Sequence, residues 1–501
     1  MENLNFFIPE ILPEKNFPRA DSVLHTSREQ RDLLLKKFSD KLKINHSLDR
    51  TLVSFQANRV TPFFNWFKYR EGFSANLIRY ILEKIPTEES GVFLDPFAGS
   101  GTALFEAAER GWHVRGIELL PVGLLAIKAR SACRQVDPNE FKKVASSVLK
   151  QDFSRHHDEK FAFRHIPITH NAFPQENERE LVGYRSLINR KYTDNPAILT
   201  LLELGSFSIL EEISYTRKDG QYLRWDSRSG RSIGTSTFDK GKIYDFREAI
   251  TGKLNQISND LLNEEANSQP SLFPDNKPNI TRKYTEPEVL QGSCLNILPT
   301  LDDSHLNLII TSPPYCNRYD YTRTYALELV YLGADAEAVK NYRQALLSCT
   351  VENREKIKEL ESLYAKQNKE AIFHQVKTVF DNQEALQEVL ANLSEYAAAD
   401  RLNNPNIVKM VRNYFFELSF TIREMARMLV PGGKIFMVND NVQYAGEEIP
   451  VDLILSDIAE QFGLKTEVIW VLPRGKGNSS QQMGNHGRVE LRKCIYVWSK
   501  I

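Results

Sequence analysis

Residues 91–102 read GVFLDPFAGSGT, and the abrupt change of character within them decides the fold class. An apolar, β-prone run stops at a carboxylate, Asp95; two glycines follow, Gly99 and Gly101, and a helical pattern (GTALFEAAER) begins at once. Strand, acid, glycine loop and helix in that order open a doubly wound α/β sheet, whose ligands sit at the carboxyl ends of the strands. Glycine at 99 and 101 allows a tight turn and close approach of backbone to a ligand.

Outward from this stretch the alternation continues, with strand HVRGIELL and helix PVGLLAIKARSAC. It breaks near Asp137 and resumes at VLQGSCLNILPTL and the strand LNLIITSPPY. The later helix VRNYFFELSFTIREMARMLV, turn PGG, strand KIFMVND, helix VDLILSDIAEQFG and strands TEVIWVL and KCIYVWSK complete an open, mainly parallel sheet. The expected organisation is a helical extension over 1–60, a sheet domain in three parts (61–136, 285–334 and 406–501), an insert over 137–284, and a helical insertion over 335–405. The insert contains a hairpin signal at Asp219-Gly220 and ends in a polar tract, NEEANSQPSLFPDNKPNITRK, that reads as a loop. The second insertion is rich in Glu, Lys, Ala, Gln and Leu, and its mixed charge makes a solvated helical face or a subunit contact the expectation there, not base reading.

The 501 residues are 42% hydrophobic and 26% charged, with a formal net charge of -1. Binding to a polyanion therefore has to come from local basic patches. No secretory leader and no bilayer-spanning apolar run is evident, so a cytoplasmic location is expected. Five cysteines (133, 294, 316, 349 and 494) never form a C-x-x-C pair, which argues for free thiols and no structural metal.

The glycine loop lacks the third glycine of G-x-G-x-x-G, Leu104 standing there, and Asp95 repels a pyrophosphate while suiting an amino group. Both features point to S-adenosylmethionine rather than a dinucleotide. Glu118, at the end of the next strand, is placed to accept ribose hydroxyls. In an open sheet the strand ending in Thr311-Ser312-Pro313-Pro314-Tyr315 lies beside the glycine-loop strand, so this rigid corner meets the cofactor's reactive end. Ser312 Oγ and the Pro313 carbonyl can accept the hydrogens of an exocyclic base amine, Pro314 stiffens the turn, and Tyr315 offers a face on which a flipped base stacks. Cys316 invites a covalent mechanism through a thiolate, but direct transfer with Cys316 as packing is the reading adopted.

These motifs together resemble the S-adenosylmethionine-dependent DNA amino-methyltransferases, which act on cytosine N4 or adenine N6. The resemblance covers about 61 to 135, 288 to 334 and 410 to 498. It implies a Rossmann-like methyltransferase sheet and a cofactor motif spanning Asp95, Pro96, Phe97, Ala98, Gly99, Ser100, Gly101 and Thr102, with Glu118 as second acid. FFNWFKYREGFSANLI is similar to the family's further cofactor motif, which nominates Phe67, Lys68, Tyr69, Gly72 and Ser74. Where members often carry an acid at the end of strand three, this chain has Gly292-Ser293-Cys294, leaving Ser293 and Cys294 as the contacts there. Serine first in the tetrapeptide favours cytosine N4, whereas the motif order is typical of adenine N6; the tetrapeptide is given more weight. RNA methylation and a non-catalytic DNA-binding subunit are the rival readings.

Between Ser214 and Arg231, Arg217, Lys218, Arg224, Arg228 and Arg231 face two acids, with Tyr215, Tyr222 and Trp225 interleaved. This basic hairpin is the expected target-recognition element for double-stranded DNA. A glycine-rich loop after Pro473, with Arg474 and Lys476, is expected to close over DNA. The resemblance also implies a restriction-modification setting, with a cognate nuclease or defence subunit as partner.

Overall fold

The computed structural model describes residues 26–85, 91–219, 222–231, 238–268, 284–473 and 491–501. Its strands are β1 (Leu42–Ile44), β2 (Val92–Asp95), β3 (His113–Glu118), β4 (Thr216–Asp219), β5 (Tyr222–Trp225), β6 (Glu288–Gln291), β7 (Leu306–Thr311), β8 (Leu429–Asp440), β9 (Val442–Tyr444), β10 (Glu447–Ile449), β11 (Leu464–Val471) and β12 (Lys493–Lys500). Eight form one sheet in the order β1-β11-β12-β8-β7-β2-β3-β6. Only β12 runs antiparallel to its neighbours β11 and β8. The remaining pairs are parallel. The mixed α/β architecture read from the alternation is the one observed, and it is the Rossmann-like sheet that the resemblance implies.

The strand ending in the tetrapeptide does lie beside the glycine-loop strand: Phe93 pairs with Leu308 and Leu94 with Ile309. The central strands are apolar nearly throughout because both faces are covered, as parallel sheets require. Phe93, Leu308 and Ile310 pack on one side and Leu94, Leu306 and Ile309 on the other. The 23-residue helix Asn406–Met428 covers the second side.

Three expectations are corrected. The extension is not simply helical: after the helix Glu29–Lys37, residues 42–44 form β1, which adds a parallel edge strand against β11. Its amide and carbonyl groups complete the sheet, a gain that a three-residue strand does not advertise in its pattern. The polar tract that ends the insert is not all loop, because its first residues, Asn263–Ser268, end the helix Phe246–Ser268; residues 269–283 lie outside the described residues. The second insertion does form helices, at Ala336–Ala345, Ile357–Lys366, Glu370–Asp381 and Glu384–Ala398. Yet they bury Leu360, Phe373, Val376, Phe380, Val389 and Leu393 in the core shared with the sheet, so solvation accounts for only their outer faces. Among the described residues no helix is long and apolar enough to cross a membrane.

Candidate active site

At the carboxyl ends of β7, β2, β3 and β6 lies a cleft of about 740 Å³, counting its open mouth. The glycine loop forms its floor. Gly99 and Gly101 have φ of +55° and +79°, left-handed values that a side chain resists. A Cβ at Gly99 would also come within 2.9 Å of the Tyr69 ring. Gly101 begins the helix Thr102–Ala108, whose first amides face the loop.

Two carboxylates tie the loop down. Glu118 accepts Gly99 N–H on Oε2 and Leu120 N–H on Oε1, both at 2.7 Å, while each oxygen keeps a second lone pair. Burial, opposed by these hydrogen bonds, pushes its carboxyl up to about 8. Asp95 is 1% exposed; its Oδ1 accepts from Thr311 Oγ1 at 2.6 Å and from Phe97 N–H at 3.0 Å. Burial raises it to about 7, and its Oδ2 has no hydrogen-bond partner. A buried carboxylate oxygen without a donor is costly unless a ligand supplies one. Loop, acids and the open lone pairs of Glu118 fit a nucleoside carrying positive charge, which is the chemistry of S-adenosylmethionine.

The Thr311–Asp95 bond matters most, because it fastens the first residue of the glycine-loop motif to the residue immediately before the tetrapeptide, 216 positions away. Ser312 and Pro314 line the same cleft as Pro96, Phe97, Ala98, Gly99, Ser100 and Thr102. Pro313 is buried and Tyr315 half-buried, with Ser312 Oγ donating to the Tyr315 hydroxyl at 3.3 Å. A serine hydroxyl donating in that direction leaves its lone pairs free to accept from another group. Burial, with Asp440 nearby, holds the Tyr315 phenol well above its usual range, so it stays protonated. Cys316 is fully buried in the apolar core and its thiol is likewise pushed far up, which suits packing and not a thiolate nucleophile. All five cysteines are unpaired and buried. Among the described residues no group of three or more His, Cys, Asp or Glu is placed to hold a metal ion.

The upstream cofactor motif is only partly gathered here. Tyr69 and Gly72 line the cleft. Ser74 does not: fully buried, it caps the helix Ala75–Leu82 through Leu77 N–H and donates to the Leu52 carbonyl at 2.8 Å. A serine before an apolar helix is the N-cap signature, which supplies the simpler reason for its presence. Phe67 packs on Phe207 and Tyr325, and Lys68 is exposed outside the cleft wall. Ser293 and Cys294 do line the cleft, with Ser293 Oγ donating to the Ala345 carbonyl at 2.8 Å. Residues missed in the sequence also line it: Glu71, Phe73, Tyr321, and Ala345, Leu346 and Leu347 from the helical insertion.

The hairpin forms as expected, Thr216–Asp219 against Tyr222–Trp225, but its side chains divide between two faces. Lys218 and Trp225 are corrected as DNA contacts: Lys218 is 4% exposed and paired with Glu328, and Trp225 is 8% exposed beneath Arg231. Alternation along β4 turns Lys218 inward with Thr216. Arg217 is exposed, and Arg224, opposite it across the hairpin, pairs with Asp219 at 2.9 Å. Arg228 forms a two-pronged bond with Asp226. The Tyr222 side chain, Arg474 and Lys476 lie outside the described residues.

Comparison with known proteins agrees with this geometry. The chain is 42% identical over 485 residues to Type II methyltransferase M.AvaI of Nostoc sp. (strain PCC 7120 / SAG 25.82 / UTEX 2576), covering 96% of this chain and 95% of that protein. The same figures hold for the protein of that name from Anabaena variabilis. Identity is 38% over 478 residues, 93% and 91% of the two chains, to Type II methyltransferase M.BsoBI of Geobacillus stearothermophilus. No protein-family model matches the chain, and no solved structure does. Near-complete coverage at this identity means that the chain belongs to the Type II methyltransferases, a family of DNA methyltransferases.

Proposed function

We propose that this chain methylates a specific site in double-stranded DNA, moving the methyl group of S-adenosylmethionine to the exocyclic amine of a flipped base, cytosine N4. The observation that carries this is the Thr311–Asp95 bond, which joins the two motifs at one cleft. S-adenosylmethionine supplies an electrophilic methyl on a sulfonium; the protein has only to orient an amine toward it. Ser312 Oγ, with its proton committed to Tyr315, accepts one amine hydrogen, and the Pro313 carbonyl accepts the other. The amine lone pair is thereby turned away from the base ring and toward the methyl. Tyr315, protonated and half-buried, supports the flipped base by stacking. Asp95 and Glu118 hold the cofactor, with Tyr69, Gly72 and the loop from Pro96 to Thr102 around it.

The outer face of the hairpin, Arg217 and Arg224 above all, is the proposed phosphate contact within a recognition region spanning 137–284. The sheet domain is assembled from 61–136, 285–334 and 406–501, with residues 42–44 added as its edge strand. Its setting is restriction-modification, with a cognate nuclease as partner and the cytoplasm as location. The test is mass analysis of nucleosides from duplex DNA treated with the protein and S-adenosylmethionine. N4-methylcytosine is expected; N6-methyladenine, the product that the motif order favours, would overturn the choice of base, and methylation of structured RNA alone would overturn the choice of substrate.

A further inference from the structure

Glu71 lies between Tyr69 and Gly72, yet nothing in the motif reading assigns it. It lines the cleft, and its carboxylate accepts hydrogen bonds from the hydroxyls of Tyr319 and Tyr325. Both phenols come from the chain just after the tetrapeptide, so they approach from the β7 side. Tyr325 is itself fixed: its ring stacks on Tyr69 at 5.4 Å and 11°, and the Lys218 ammonium sits 4.4 Å from the ring centre, held there by Glu328. Arg70 N–H also donates to the Tyr325 hydroxyl at 3.1 Å. The carboxylate is thus presented at one place on the wall by two rigid donors, and each oxygen retains a lone pair.

Among the described residues no lysine, arginine or histidine forms an ion pair with Glu71. Lys218 and Arg70 act on this half-buried carboxylate through space, but its hydrogen bonds come from neutral donors, and a cation that reaches it directly completes it favourably. The order of the sheet says which cation. The cleft runs from β7 across β2 and β3 to β6. Glu118 and Ser293 lie toward the β3–β6 end, where the adenosine belongs, and Glu71 is tied to the chain that follows β7, at the methionine end. That half of S-adenosylmethionine carries two cationic groups, the sulfonium and the α-ammonium. Of these, only the ammonium has N–H donors to match free carboxylate lone pairs, and it has enough of them to serve Glu71 as well as the partnerless Oδ2 of Asp95.

We infer that Glu71 is a cofactor-binding residue, accepting the α-ammonium of S-adenosylmethionine from the position set by Tyr319 and Tyr325. This rests on the proposed cofactor. The experiment is calorimetric titration of the full chain and its Glu71→Gln variant with S-adenosylmethionine, S-adenosylhomocysteine and 5′-methylthioadenosine. The first two carry the ammonium; the third is the adenosine thioether without it. Glu71→Gln is expected to lower affinity for the first two by roughly ten- to a hundredfold, the scale of a charge-assisted hydrogen bond, and for the third by less than about twofold. Tyr319→Phe keeps the carboxylate and removes one holder, so a smaller loss with the same selectivity is expected, which covers the case of a misfolded Glu71→Gln. Equal loss for all three ligands would overturn the assignment in favour of a purely structural role. Loss for S-adenosylmethionine alone would overturn it in favour of the sulfonium, and no loss would overturn it outright. Failure of the unaltered chain to bind any of the three would instead remove the cofactor reading, and this inference with it.

Discussion

Substituting Gly123 by alanine tests the packing on which the cleft depends. Gly123 lies in the helix Pro121–Ala132, where alanine is the better helix former by about 1 kcal/mol. Propensity alone therefore predicts stabilisation. The structure predicts the opposite, because a Cβ at 123 would lie 2.3 Å from the Gly99 carbonyl oxygen and 2.9 Å from Glu118 Cδ and Cγ. Backbone cannot yield as a side-chain tip does, so the glycine loop has to move by about 1 Å to restore an ordinary contact. Overpacking of this kind costs about 1–3 kcal/mol, which cancels or exceeds the helical gain. The larger effect falls on the site, since the displaced atoms belong to the Gly99–Glu118 clamp, and a shift of about 1 Å in positioning can lower rate about a hundredfold. Denaturant unfolding, S-adenosylmethionine titration and kcat/KM for DNA methylation measure the three consequences. A Gly123→Ala protein that is more stable than the parent by the full helical increment, with cofactor affinity unchanged, would refute the reasoning.

Ser312→Ala and Tyr315→Ala are expected to abolish methylation, read as methylated nucleoside, while leaving S-adenosylmethionine affinity within a fewfold of the parent; surviving activity in both would end the catalytic assignment. Asp95 has its proton affinity raised by folding, from an ordinary 3.8 to about 7, so the folded chain holds more protons than the unfolded one across that interval. Stability therefore falls as pH rises from about 4 to about 7, and Asp95→Asn should remove that slope in cofactor-free unfolding curves. The cationic half of the cofactor near Asp95 and ribose hydroxyls donating to Glu118 both favour ionised carboxylates, so S-adenosylmethionine affinity should weaken as pH drops from about 8 to about 6, measured by titration across that range. Lys218→Ala breaks a buried ion pair and should cost about 3–5 kcal/mol of stability by denaturant unfolding. Arg217→Ala, on the exposed face, should leave stability nearly unchanged and lower the salt slope of DNA binding by about 1.

What the sequence disclosed was what local chemistry fixes. The glycine loop had to follow β2 because left-handed backbone at 99 and 101 admits little else. The tetrapeptide had to end a buried strand because LNLIIT is apolar on both faces and the prolines stop it. What stayed hidden depends on partners far along the chain. Lys218 alternates correctly for an inward position, but its partner Glu328 lies 110 residues away, so a basic hairpin looked uniformly available to DNA. The strand at 42–44 is too short to show a period, and its neighbour begins more than 400 residues later. Thr311 resembles any strand-terminal threonine until β7 is set beside β2 and its hydroxyl meets Asp95. Likewise Ala345, Leu346 and Leu347 read as a helix end, and only the fold brings them to the cleft wall. Ser74 misled for the converse reason: a local rule, the helix N-cap, explained it fully.

A crystal structure of the chain with S-adenosylmethionine tests the central claim most directly. The account predicts the adenosine beside Glu118 and the methyl directed at Ser312 Oγ, with space for an amine nitrogen about 3–3.5 Å from the methyl carbon. A cofactor bound outside this cleft, or lying in it with its methyl turned away from Ser312 and Tyr315, would contradict the account.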